Sequence, residues 1–427
     1  MDTPRQVSRA SLAIAAFSTI VEWYDFTLYL YLTTVLARVF YGDYEGSVAM
    51  ALLVFAVGYL MRPVGAACFG YVGDRFGRRR MMLWSMALMT FTMLATALLP
   101  TSLQIGGAAA WWLLALRLVM AFAVGGEYTG VVAYLTEGSA SERRGLIASL
   151  AAASSEVGAL LASAAAALTV WLLPQAEVDA WGWRLPFVAG ALMALVIWIA
   201  RSHMDESPDF ERQQREDTVP SAPAKHVLTK QFPAVLRTFA ISALGSVTYY
   251  VGITYVPSYL ATTTGLSESD SLGISTLAAI VVIAVTPLLG WASDHLGRRP
   301  ILVALAAIGV ILPILAFWTM ASAENGIIVI VGVMLLAVLG GGVSAVAASA
   351  TAEQFTGEGR VTGLAFGVTA ATAVFGGLAL WLSELWGAST GNPLAPGMLM
   401  AIVAVVAAPI IATMPETAAR QLRKTEG

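Results

Sequence analysis

Charge is scarce in this chain: 12% of its 427 residues are Asp, Glu, Lys or Arg, against 58% that are hydrophobic. An ordinary soluble domain carries about twice that charged share, so a water-exposed surface over most of the length is excluded. Cysteine occurs once, at Cys68, which rules out an internal disulfide framework. The three histidines, His203, His226 and His295, fall in polar segments, and no G-x-S-x-G, H-E-x-x-H or glycine-rich phosphate loop occurs. Metal-dependent, nucleophilic and ATP-driven chemistry therefore lack their parts. Long polar stretches are scarce as well: one of them, residues 202–231, separates the rest into two halves and reads as a linker.

What the chain has instead is a series of apolar runs of about 20 residues, the length that spans a bilayer as helix. Twelve are predicted, near 10–37, 48–73, 81–99, 110–137, 145–173, 183–201, 232–262, 271–293, 300–320, 326–353, 360–387 and 394–414. The first contains Glu22 and Asp25 and lacks a small-residue cleavage signature, so it is expected to be a retained helix and not a signal peptide. Basic residues fix the orientation, because loops facing the cytoplasm carry the excess of Lys and Arg. With the N-terminus inside, Arg38 and Arg184 lie outside, Arg62 and Arg117 lie within spans, and all the others of the 24 basic residues fall inside. The net charge of −3 averages over this segregation.

The two halves echo each other. Gly70, Asp74, Gly77, Arg78 and Arg79 recur at constant displacement as Gly290, Asp294, Gly297, Arg298 and Arg299, and Glu137, Glu142 and Arg144 recur as Glu353, Glu358 and Arg360. The exit of span six, with Glu206, is echoed by Glu416 after span twelve. The sequence thus predicts an all-α membrane protein of twelve transmembrane helices in two pseudo-repeated six-helix bundles, residues 1–201 and 232–427, joined by the linker, with both termini cytoplasmic. Solute sites in such folds lie where the repeats meet. The glycines at 77 and 297 permit tight turns, and the carboxylates at 74 and 294 can meet arginines or a helix N-terminus. Asp74, Arg75, Gly77, Arg78, Arg144, Asp294, Gly297, Arg298 and Arg360 are accordingly expected to form a cytoplasmic gate; arginines that only anchor topology are the plainer alternative.

An ionisable group inside hydrocarbon costs at least about 2.5 kcal/mol, so each one asks for a reason. At about 1.5 Å per residue, Glu22, Asp25, Arg62, Glu127 and Glu156 share one layer near the midplane. Protonation of an acid in such a cluster responds to the position of its guanidinium. Asp25 or Glu127 is the expected proton carrier, with Glu22 in the same set and Arg117 as the modulating cation. A static salt-bridge network holding spans together is the competing reading. Trp23, Tyr24, Tyr29, Tyr128, Tyr250, Tyr255 and Tyr259 are candidates to line a solute site with Arg62 and Glu156, since electron-rich rings accept ammonium groups and a guanidinium accepts a carboxylate. Interfacial anchoring and helix packing also use Trp and Tyr. Pro257 is expected to bend span seven.

Gly70 to Arg79 resembles the signature loop of the major facilitator superfamily. The run from Arg117 to Tyr128 is similar to the fourth-span motif of its metabolite:proton symporters, with Met120 and Ala121 where Gln and Gly are usual. Glu22-Trp-Tyr-Asp-Phe, Leu60-Met-Arg-Pro-Val-Gly, Trp181-Gly-Trp-Arg-Leu-Pro-Phe and Asp205-Glu-Ser-Pro extend the likeness along almost the whole chain. Gly125-Gly-Glu-Tyr-Thr-Gly and Val247-Thr-Tyr-Tyr resemble the osmoregulatory proline and glycine-betaine symporters in particular. The resemblance implies a transporter in a bacterial cytoplasmic membrane, not an enzyme. It would act as a monomer embedded in the lipid bilayer, on a small-molecule substrate and a proton, with no cofactor beyond the proton and no nucleic acid. A zwitterionic osmolyte fits the surplus of acids over Arg62 and Arg117; an organic acid such as citrate or 2-oxoglutarate is the alternative, and a membrane sensor is the reading outside transport.

Overall fold

Helix is the only regular structure among the described residues, as expected where hydrocarbon offers the backbone no outside partners. The structure is a computed structural model and describes residues 7–42, 47–264, 266, 268–322 and 326–419. Arg5, Arg420, Arg423 and Lys424, counted above among the inside charges, lie outside the described residues. Among those described, eleven helices are long and apolar enough to cross a membrane. The expected first span is not one of the eleven. It is built from α1 (Arg9–Tyr31) and α2 (Thr33–Tyr41), joined at Leu32, and α1 buries Ser11, Ser18, Thr19, Glu22 and Asp25.

The other expected spans correspond to long helices. Span two is α3 (Ser47–Tyr59) running into α4 (Met61–Phe76), and spans three to six are α5 (Arg78–Leu98), α6 (Ala108–Gly138), α7 (Arg144–Leu172) and α8 (Arg184–Arg201). The polar 202–231 stretch is not bare coil: Ser207 caps a short helix, α9 (Pro208–Arg215), by accepting from the Phe210 amide at 3.1 Å. Span seven, α10 (Phe232–Tyr249), widens into a π turn at Tyr250–Thr254, followed by one α turn, Val256–Tyr259, and a second π turn, Leu260–Thr264. Pro257 opens the α turn, where its missing N–H costs least. The remaining helices are α11 (Glu268–Leu296), α12 (Arg298–Ser322), α13 (Gly326–Ala352), α14 (Arg360–Thr372), α15 (Leu378–Thr390) and α16 (Ala395–Ala412).

Two compact units emerge, Met1–Gly138 with Ser154–Pro223, and Ser139–Ala153 with Ala224–Gly427. In the first, Tyr24, Leu28, Tyr29, Met86, Met89, Trp183 and Phe187 form the core. In the second, one core gathers around Val251, Tyr259, Phe317 and Met400, and another around Leu244, Leu302 and Val346. Large apolar side chains such as Trp84, Trp111, Trp171 and Ile311 stay exposed, which water would penalise and lipid does not.

One close approach sets up the site of the first unit. A Cβ on Gly65 would strike the Phe122 carbonyl, and one on Gly125 would strike the Arg62 carbonyl. Only glycine lets the backbones of α4 and α6 touch here. That contact brings Arg62 on α4 and Arg117 on α6 to the same opening.

Candidate functional site

In the first unit, α1 and α6 face each other through an ion pair. Arg117 Nη1 and Nη2 donate to Asp25 Oδ2 and Oδ1 at 2.9 and 3.2 Å, with the two residues 5% and 2% exposed. The guanidinium lies 5.3 Å from the Tyr29 ring and 5.9 Å from that of Phe187. Beside the pair lies an open pocket, lined among others by Asp25, Phe26, Phe55, Tyr59, Arg62, Arg117 and Met120. Arg62 stands 4.3 Å from the Tyr59 ring and 4.9 Å from the Phe26 ring. Phe26 in turn meets Phe55 at 4.9 Å and Trp23 at 5.5 Å. The result is a pocket with one carboxylate, two guanidiniums and a wall of rings.

Two of the tyrosines expected to contact solute are not among the residues lining this pocket. Tyr24 and Tyr29 are buried in the core, and their hydroxyls donate to the Pro186 and Ala51 carbonyls at 2.8 and 2.9 Å. Burial obliges a tyrosine hydroxyl to find such a partner. Phe26, Phe55 and Tyr59, which the sequence reading left out, supply the pocket wall instead. Trp23 and Tyr128 are half-buried, and Glu156 is buried on α7.

Glu127 is also paired, but not with Arg117. Arg201 grips both its oxygens, with Nη1 at 3.1 Å and Nη2 closer still, and Ser85 donates to Oε2. Arg201 further donates to the Met82 carbonyl at 2.7 Å and to Ser18. Glu127 and Arg201 are both wholly buried. Arg201, assigned above to the cytoplasmic set because it ends span six, thus turns back into the bundle. Glu22, one turn before Asp25 on α1, has no such cation: it is 4% exposed, forms no ion pair within 4.0 Å among the described residues, and leaves Oε2 without a hydrogen-bond partner.

Within the second unit, the Tyr255 hydroxyl donates to Glu384 at 2.6 Å. Tyr259 is buried edge-on to Phe317, its ring centroid 4.8 Å away, and its hydroxyl donates to the Pro393 carbonyl at 3.1 Å. Tyr250 is buried beside Gly376, where an added Cβ would lie 3.0 Å from its ring.

The duplicated loops build the same device once in each unit. In the first, Arg78 reaches Glu137 with Nε and Nη2 at 3.0 and 2.9 Å and Asp74 at 3.3 Å. Glu206 accepts the Arg78 and Arg79 amides at 3.0 and 3.2 Å, capping α5. Burial pushes the Glu206 carboxyl up despite those bonds. In the second unit, Arg298 meets Asp294 at 2.7 Å and Glu353 at 3.2 Å, and Glu416 accepts the Arg298 and Arg299 amides at 2.9 and 3.1 Å. Gly77 and Gly297 turn with φ of 105° and 104°. Asp294 does one thing more: it accepts the Gly145 and Leu146 amides at 2.8 and 3.0 Å, first-turn N–H groups of α7 that no carbonyl of their own helix can satisfy. Arg360 opens α14 and donates to the Phe355 carbonyl at 3.3 Å. Arg75 is exposed, and neither it nor Arg144 has an ion pair among the described residues.

Membrane-length helices enclosing paired charges and a two-signed pocket suit a solute transporter. Residues 15–379 match the family model described as Major Facilitator Superfamily, and the chain belongs to that family. It is 31% identical to the proline/betaine transporter of Escherichia coli K12, over 97% of this chain and 85% of that protein. It is also 31% identical to the alpha-ketoglutarate permease of the same organism, over 90% of this chain and 88% of the permease. Among solved structures, the proton:xylose symporter XylE superposes with a TM-score of 0.80 at 18% identity, covering 96% of each chain, a likeness of fold.

Proposed function

We propose that this chain is a proton-coupled symporter of a zwitterionic osmolyte of the proline or betaine kind. It works by alternating access as a monomer in a bacterial cytoplasmic membrane, with both termini inside. The observation that carries the reading is the pocket of the first unit, where Arg62 and Arg117 stand across from Asp25 and the rings of Phe26, Phe55 and Tyr59. A solute carboxylate is a fitting partner for Arg62, whose fork matches it two bonds at a time. A secondary or quaternary ammonium fits the electron-rich faces and the Asp25 side. The relatives named for proline and betaine support the same solute class.

Transport then requires the buried acid layer to change protonation as the opening switches sides. The bonds from the Gly145 and Leu146 amides to Asp294 are suited to act as a latch: they are directional, involve a charge, and can re-form with water once broken.

Uptake of labelled betaine and proline into proteoliposomes, with and without an inward proton gradient, tests the proposal. Accumulation above equilibrium only with the gradient is expected, and uptake indifferent to it would refute coupling. A second reading, symport of an organic acid, is favoured by one feature: two guanidiniums line the same pocket, as a dicarboxylate would want. Labelled 2-oxoglutarate accumulating in place of betaine would decide for it.

A further inference from the structure

We propose that Glu22 is the carboxyl that takes up the transported proton, an assignment that rests on the symport reading above. The acids of the first unit differ in one decisive respect. Asp25 is held in a two-bond pair by Arg117, and Glu127 in another by Arg201. A carboxylate whose lone pairs are filled by a guanidinium has little use for a proton. Glu22 is as deeply buried, yet Oε2 has no hydrogen-bond partner among the described residues. An ionised carboxylate left that way bears an uncompensated desolvation cost, and a proton is the partner small enough to relieve it without rearranging the packing.

The charges around Glu22 also supply the coupling. The charges that act on it electrostatically are those of Arg62 on α4, Glu127 on α6 and Arg201 on α8. Tyr128 of α6 feels the Glu22 charge in return, and α7, packed onto α1 where Gly158 meets the Ile20 carbonyl, carries Glu156. Arg201 is committed to Glu127, so Arg62, which lines the pocket, is the cation whose field a bound solute alters. When a solute carboxylate lies on Arg62, the positive field that stabilises ionised Glu22 is offset and a proton binds more readily. The reverse follows by linkage: a neutral Glu22 leaves Arg62 to the solute. In the cycle, a proton from one face adds to the Glu22 carboxylate and gives the neutral acid. After the opening switches sides, that O–H bond breaks, the proton passes to water on the other face, and the carboxylate is restored.

The test compares the unmodified protein with Glu22→Gln in proteoliposomes, using labelled betaine. Glu22→Gln is expected to lose accumulation driven by an imposed proton gradient while solute counterflow, which needs no net proton movement, persists. Gradient-driven accumulation that survives in Glu22→Gln overturns this assignment alone. Unmodified protein that ignores the gradient overturns both the assignment and the symport reading. Dicyclohexylcarbodiimide, which modifies protonated carboxyls in apolar surroundings, gives a second readout on the unmodified chain in case the variant misfolds. An adduct located on Glu22 by mass spectrometry is expected, and one confined to Asp25 or Glu127 overturns the assignment.

Discussion

Replacing Arg201 with Met separates a structural ion pair from a proton carrier at Glu127. The guanidinium makes two bonds to Glu127, one to the Met82 carbonyl at 2.7 Å and one to Ser18, all in a wholly buried place. In Arg201→Met, Ser85 is the hydrogen-bond donor left to the buried Glu127 carboxylate among the described residues. Removing one partner of a buried pair costs about 3–5 kcal/mol, because the other charge is left uncompensated. Replacing both partners by apolar groups of similar volume is far milder and can be neutral. Arg201→Met should therefore lower the melting temperature of the detergent-solubilised protein markedly. The double variant Glu127→Met with Arg201→Met should recover most of the loss. Tryptophan fluorescence on heating reads both, compared at one scan rate because membrane proteins of this size seldom unfold reversibly. Equal melting of Arg201→Met and the unmodified protein, or a double variant as unstable as the single one, would refute the reasoning.

Arg62→Ala should weaken binding of a carboxylate-bearing solute by about 1.5–3 kcal/mol, the worth of a charge-assisted bond, read as a raised half-saturation concentration for uptake. Gly125→Ala drives a methyl into the Arg62 carbonyl; it should cost about 1–3 kcal/mol of stability and also weaken solute binding, because Arg62 must move. Gly297→Ala, at φ of 104° and against the Glu416 carboxylate, should destabilise by about 1–3 kcal/mol in the same melting assay. Asp294→Ala removes the acceptor of the Gly145 and Leu146 amides, and faster hydrogen exchange in a peptide covering those two residues is the expected result.

The spans and the duplication were legible because they rest on the strongest sequence signals, apolar length and a repeated pattern of Gly, Asp and Arg. Asp74 with Arg78 and Asp294 with Arg298 are four residues apart on a turn and can hardly avoid each other. The partner of Glu127 was not legible. A helix that is apolar all round gives no stripe from which to read its inward face, and Arg201 at a span end looks the same whether it points to water or back into the bundle. The same blindness hid the pocket wall: Phe26 and Phe55 carry no polar atom to mark them, whereas Tyr24 and Tyr29 drew notice for hydroxyls that the core consumes. Glu22 was visible as a charge, but its lack of a partner is a fact of packing.

The account stands most directly on whether solute and proton move together. Proteoliposomes holding a pH-sensitive dye, with no gradient imposed, should acidify inside when betaine or proline is added outside, and the signal should vanish with a protonophore. Entry of labelled solute with no change in internal pH would contradict it.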